Sequence, residues 1–414
     1  MLLPGAIKRL AFLIIIIVAT AAFWRYFLYT PTNITPRQPA NIAPPTTSST
    51  PPVILNAANN PEPISIDPTK NIPSPPISNA PLPPLKIPSK IKAIYVTAPT
   101  ASLTSRMNSL YNLADNSEIN AFVINIKDGD EIFLTNWMAN VVRQLRSKNI
   151  YPIARIMIFQ DNYLAKTRPD LALKNSAGDL WGKKGYHWVD PASHEVWDYN
   201  LNIAKKALDM GFVEVNFDYI RFPDGNVEEI VYPHYDGIAA KEEIIKTFSQ
   251  YITSEIKKNH PAAIISADVF AYTFLRTNGL GIGQRLTDIA PYYDVIAPMI
   301  YPSHYAAGNF GFENPATEPR EVVWQTIQSG IFQLSNAQSY PIIRPWIQDF
   351  DIGAVYDREK IIAQIQGIRD SGLALNDCSP DAVCGDGWMV WNPSNIYDLN
   401  KFQNIEPELL PYPR

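Results

Sequence analysis

The sequence predicts an α/β fold, a (β/α)₈ barrel set behind an N-terminal hydrophobic segment and a proline-rich linker. Three observations predict it. From Lys90 onward, eight apolar, β-branched runs of strand length alternate with amphipathic stretches of helix length. The runs are apolar nearly throughout, as strands covered on both faces are. Polar residues gather at one end of these runs and are sparse at the other. The alternative, an open doubly wound sheet, often carries a glycine-rich nucleotide turn after its first strand; TAPTASLTS here has neither GxGxxG nor a Walker pattern.

In residues 1–30, Lys8 and Arg9 precede an uncharged run from Leu10 to Trp24, and Arg25, Tyr26, Phe27, Leu28 and Tyr29 follow. A basic flank before an apolar run is an export signal. Fifteen residues are short for a spanning helix, which needs about 20, but Arg25 can snorkel and the aromatic cluster suits an interface. The segment reads as an uncleaved membrane anchor, with a signal peptide cleaved near Ala19-Thr20-Ala21 as the alternative. Either places the rest of the chain outside the cytoplasm. Residues 31–88 are dense in Pro, Ser, Thr and Asn and form no core; they read as a disordered linker to a barrel domain at 89–414.

The strands are expected at 91–97, 121–127, 151–159, 213–220, 263–271, 293–301, 340–348 and 387–392. Helices are expected at 135–149, 194–211, 239–259, 317–336 and 357–372. Gly211 stands where a helix ends in a left-handed residue, and His260-Pro261 halts the next one.

Active sites of such barrels lie at the C-terminal strand ends. Those ends hold Asp128, Asp218, Asp268, Tyr301, His304, Gln348 and Trp391. Strand period sets their direction. In VEVNFD, Val213, Val215 and Phe217 share the face expected against the helices, and Glu214, Asn216 and Asp218 the face expected inside the barrel. Ile264, Ser266 and Asp268 share a face of the next strand, which brings Asp268 toward the same mouth. Two carboxylates in one cavity split their pKa values, so that one holds a proton while the other is ionised, as glycoside hydrolysis requires. A buried Glu214 needs a partner, with Arg155 or Lys127 the candidates. Tyr301, Trp346 and Trp391 are candidate faces for sugar rings, and Arg221 is expected to orient Asp218, to bind an anion, or only to pair with Asp224.

With a net charge of −5 and no long basic run, nucleic acid is excluded as a partner. His187 and His194 lack HExxH spacing and no GxSxG occurs, so neither a zinc site nor a serine esterase is indicated, and no metal or other cofactor is expected. Cys378 and Cys384, in CSPDAVC, are expected to form a small-loop disulfide in an exported chain.

The run FDYIRFPDG (217–225) resembles the glycoside-hydrolase-type domains of exported bacterial proteins known as the DUF4015 family. GYHWVDP (185–191), APMIYPSHY (297–305), RPWIQDF (344–350) and GWMVWNPSN (387–395) extend the resemblance across most of residues 90–405. It implies a TIM barrel similar to glycosidases whose nucleophile is the acid ending strand four, here Asp218. The acid ending strand five, Glu in amylase-like relatives, corresponds to Asp268. The expected activity is hydrolysis of a cell-wall or surface polysaccharide, with Asp218 as nucleophile and Asp268 as acid/base. Asp128, Arg155, Glu214, Asn216, Arg221, Tyr301, His304, Trp346, Gln348 and Trp391 are the expected substrate-binding residues. The alternatives are a non-catalytic glycan-binding envelope protein on the same barrel, and a deacetylase or esterase.

Overall fold

The computed structural model describes residues 81–183, 185–224, 230–374 and 382–409. The segment expected to anchor the chain, nearly all of the linker, and Cys378 of the expected disulfide lie outside these residues; Cys384 is buried. Among the described residues, no helix is long and apolar enough to cross a membrane.

Eight parallel strands close on themselves. They are β1 (Ile91–Val96), β2 (Ala121–Lys127), β3 (Tyr151–Met157), β4 (Glu214–Asp218), β5 (Ile264–Phe270) and β6 (Val295–Met299), with β7 and β8 each in two pieces. β7 comprises Ile342–Ile343 and Trp346–Gln348; β8 comprises Cys384–Gly385 and Gly387–Trp391. β8 pairs with β1, and β7 pairs with both β8 and β6, which shuts the barrel. The sequence reading has β7 continuous from 340 to 348. The break falls at Arg344-Pro345, where proline has no N–H to give the ladder. In β8 the break is Asp386, directly before Gly387. Gly387 sits at φ 135°, and a Cβ there would lie 1.9 Å from the Ile91 carbonyl oxygen, so only glycine lets β8 come this close to β1.

Helices follow most strands: α1 (Thr104–Asp115), α2 (Asn136–Ser147), α3 (His194–Met210), α4 (Lys241–Asn259), α5 (Leu286–Ile289), α6 (Pro319–Asn336) and α7 (Arg358–Asp370). Their ends follow local chemistry. Thr135 caps α2 by accepting from Met138 N, Asp357 caps α7 by accepting from Lys360 N, and Gly211 closes α3 at φ 110°. α1 is missing from the sequence reading; TSRMNSLYNLAD opens without a side-chain cap, although Met107, Leu110, Tyr111 and Leu113 bury one face of it. After β8 the described chain makes only short 3₁₀ turns, at Leu399–Lys401 and Glu406–Glu408, and Phe402 and Ile405 bury themselves where an eighth helix would pack.

Two cores result. The outer one lies between strands and helices and takes in Val215 and Phe217. The inner one fills the barrel with Ile91, Ala93, Tyr95, Ala121, Val123, Tyr151, Ile153 and Met389 among others. Val213, expected on the helix side, packs instead against the inner core. It precedes the first residue of β4, so strand alternation does not govern it.

Candidate active site

The inner face of β4 rises through Glu214, Asn216 and Asp218, as the alternation predicts, and all three are buried. On its two sides, β3 brings Arg155 level with Asn216, and β5 brings Ser266 level with it. These neighbours organise the mouth.

Arg155 is the centre. Its Nη2 pairs with Asp218 Oδ2, its Nη1 donates to Asn125 Oδ1 at 2.7 Å, and its Nε lies 3.8 Å from Asp268 Oδ2. The guanidinium is 5.3 Å from the Trp391 ring centroid and 5.7 Å from that of Tyr95, and those two rings stack on each other at 3.9 Å. Burial works against the charge on Arg155, but Asp218 and its other neighbours hold its pKa above the ordinary arginine value.

The two carboxylates converge on this one guanidinium from adjacent strands, yet their surroundings differ. Asp218 Oδ1 also accepts from Tyr219 N at 2.6 Å. That contact depends on a left-handed Tyr219 at φ 56°, a conformation costing roughly 1–3 kcal/mol in a non-glycine residue. Asp268 is 1% exposed and lies deeper. Its Oδ1 accepts from Trp346 Nε1 at 2.7 Å and from Asn216 Nδ2 at 2.9 Å. Burial pushes its pKa up to about 8, and the Asp218 charge adds to this, against the pull of Arg155 and the two donors. With Oδ1 occupied by two donors, the proton of the neutral acid belongs on Oδ2. Asp218, by contrast, is held by a cation and an amide, the partners of a carboxylate.

The other expected residues divide between mouth and support. Tyr301 stands close enough for both carboxylates to add to the rise in its phenol pKa that burial begins. It packs edge-on against His304 and Phe350; burial lowers the His304 pKa. Trp391 is half-buried at the mouth, whereas Trp346 is fully buried and engages Asp268 through its ring N–H. Gln348 has both ends of its amide taken by backbone, accepting from Ser303 N and donating to Phe350 O, and so ties two loops together. Asp128 accepts from the amides of Asp130 and Glu131 and shapes its own turn. Arg221 donates to Asp224 and Phe222 O and lies among the rings of Phe270, Trp188 and Tyr219; no hydrogen bond joins it to Asp218 among the described residues.

Glu214 pairs with neither candidate partner. Arg344 Nη1 donates to both its oxygens, at 2.8 and 2.9 Å, and Tyr151 and Ser266 hydroxyls also reach it. Lys127 points outside the barrel to Asp161, 2.8 Å away, and the Tyr199 ring on α3. A β-bulge between Asn125 and Lys127 shifts the register there. The sequence reading missed Tyr95, Asn125 and Arg344. Alternation gives the first two, since Tyr95 follows Ile91 and Ala93, and Asn125 follows Ala121 and Val123, on inward faces. For Arg344 the signal is a charged residue inside an apolar run.

A family model described as "Putative glycosyl hydrolase domain" (DUF4015) matches residues 93–397. No curated protein matches the chain. A hypothetical protein from Ruminiclostridium thermocellum is 32% identical over 42% of this chain and 97% of its own, with a TM-score of 0.38. A β-galactosidase from Marinomonas ef1 is 9% identical over 73% of this chain and 54% of its own, with a TM-score of 0.50, a likeness of fold alone. The glycoside hydrolase domain of PelA from Pseudomonas aeruginosa is 11% identical over 75% of this chain and 97% of its own, with a TM-score of 0.41.

Proposed function

Because this chain belongs to the DUF4015 family of glycosyl hydrolase domains, we propose that it hydrolyses a cell-wall or surface polysaccharide through Asp218 and Asp268. The observation that carries the reading is their convergence on Arg155 in unlike environments. Asp218, the shallower of the two, attacks the anomeric carbon while Asp268 gives its Oδ2 proton to the departing oxygen. Water then enters, yields a proton to Asp268, and releases the sugar from Asp218. In a retaining pair the two carboxyl groups stand about 5–5.5 Å apart, and both of these lie against one guanidinium. Trp391, half-buried at the mouth and backed by Tyr95, offers a ring face for a sugar unit, whereas Tyr301 is buried against His304 and Phe350.

A second reading has one observation in its favour: Arg155 already neutralises Asp218, as it would in a non-catalytic glycan-binding barrel. Reducing-end release from isolated wall polysaccharides, measured for the wild type and Asp218→Asn, separates the two. Release by the wild type and none by the variant supports the hydrolase. Binding without release, equal in both proteins, favours the binding barrel.

A further inference from the structure

Below the carboxylates a chain of hydrogen bonds runs from the middle of the barrel to Asp268, and its direction is fixed at the lower end. Arg344 holds Glu214 by both oxygens, and a carboxylate so held can only accept. Ser266 Oγ, 2.7 Å from Glu214 Oε1, must therefore donate to it. With its proton spent, Ser266 Oγ turns a lone pair to Asn216 Nδ2 at 3.0 Å. The same Nδ2 carries a second proton, which goes to Asp268 Oδ1. At the far end, Trp346 Nε1 can only donate, so Asp268 Oδ1 is an acceptor from that side too.

The Asn216 amide bears the consequence. Its Oδ1 is buried without a hydrogen-bond partner among the described residues. An amide free to choose would turn that oxygen to a donor; here both neighbours of Nδ2 demand one, and the orientation is imposed at the expense of Oδ1.

We infer that Glu214 and Ser266 are positioning residues, which act through Asn216 by fixing the direction of a hydrogen-bond chain whose last donor meets Asp268 Oδ1. The chain keeps the amide N–H on Asp268 and the acid's own proton on Oδ2. This rests on the glycosidase reading only for its use, since the hydrogen-bond chain exists whatever the barrel does. In Glu214→Gln the new amide can donate to Ser266, whose hydroxyl then turns to Asn216. The Asn216 amide flips, and its oxygen faces Asp268 Oδ1 in place of the N–H. A protonated Asp268 is favoured by that change.

The groups facing Asp268 are Asp218 and Asn216 on β4, Arg155 on β3, Trp346 on β7 and Tyr301 after β6; those facing Glu214 are Arg344, Tyr151 and Ser266, with Asp386 beyond Arg344. None is itself substituted in these variants, other than Ser266. The test is a carbon-detected pH titration of full-length protein labelled at the aspartate carboxyl carbons, with Asp268→Asn assigning the signal. The expected result is a rise in the Asp268 midpoint of about one pH unit in Glu214→Gln, with a smaller rise in Ser266→Ala. A midpoint that stays put in variants retaining the wild-type melting transition overturns the inference. Should Glu214→Gln fail to fold, Ser266→Ala decides alone, by the same criterion. Hydrolysis is read separately: a wild type that titrates as stated but releases no sugar leaves the chain intact and removes the glycosidase reading.

Discussion

The barrel holds two arginines, one above the other, and each sits between two acids. Arg344, lower down, grips Glu214 by both oxygens and reaches Asp386 with Nε at 2.8 Å and Nη2 at 2.5 Å. Arg155, at the mouth, has Asp218 as a close partner, but Asp268 stands off at 3.8 Å and Arg155 Nε is buried without an acceptor among the described residues. The mouth also contains the unpartnered Asn216 Oδ1 and the left-handed Tyr219. The lower triad joins β4, β7 and β8, and Glu214 accepts from the Tyr151 and Ser266 hydroxyls as well as from Arg344. The upper one leaves Arg155 Nε and Asn216 Oδ1 without hydrogen-bond partners among the described residues, and the strained Tyr219 stands beside it.

That contrast breaks most sharply under substitution of the mouth acid. Asp218→Asn removes the proposed nucleophile and leaves the side-chain volume. Turnover of a cleavable polysaccharide should fall by on the order of 10⁴-fold, and taking the charge from the buried Arg155 pair should cost stability as well. A variant that loses stability and keeps turnover would make Asp218 a structural acid like Glu214. Arg344→Ala should act through stability. It strands Glu214 in the core, and breaking a buried ion pair costs roughly 3–5 kcal/mol. A drop of that size in the urea-derived unfolding free energy is expected, and an unchanged value would show that the lower triad does not hold the barrel.

The protonation of Asp268 gives an effect readable without substrate. The unfolded chain releases this proton near pH 4, whereas the folded chain keeps it up to about 8. Below both values the acid is protonated in either state, and the stabilisation that goes with its raised pKa is fully present. Between them only the folded chain binds the proton, so rising pH favours unfolding, by up to about 1.4 kcal/mol per pH unit. Above the folded value nothing further is lost. Asp268→Asn removes this slope, so wild type and variant should diverge in urea unfolding between pH 5 and 8. Parallel curves would mean that Asp268 is ionised in the fold.

Much of this architecture is legible in the chain, and the limit is physical. Period-two alternation on β4 and β5 places Asp218 and Asp268 inside one mouth, because side-chain direction in a strand is a local property. Alternation says nothing about partners. Glu214 and Arg344 are 130 residues apart and meet only when the barrel closes through β7 and β8. Arg155, offered as a partner for Glu214, stands level with Asn216, and its guanidinium reaches up to Asp218. Trp346 and Trp391 look alike as aromatic strand residues, but the first lies deep and the second at the mouth. Gln348 and Asp128 look like mouth residues until the backbone groups they satisfy are in view.

Arg221 is the remaining test of the comparison, because it belongs to neither pattern. Among the described residues it has a single acid, Asp224, and that acid's side chain is 52% exposed. What surrounds the guanidinium is aromatic: Phe270 at 4.5 Å, Trp188 at 4.9 Å and Tyr219 at 5.2 Å. If the rings hold it, Asp224→Ala removes only a solvent-screened contact, and stability should change by less than about 1 kcal/mol. Arg221→Lys keeps the charge but loses the plane that lies among the rings, and a point charge on a flexible stem is a poor replacement. The lysine variant should therefore lose more stability than the alanine variant at 224. It should also lose turnover, because the Tyr219 ring next to Arg221 belongs to the residue whose amide holds Asp218. Equal losses in the two variants would place Arg221 with the ion pairs and would leave the left-handed turn at Tyr219 without its brace.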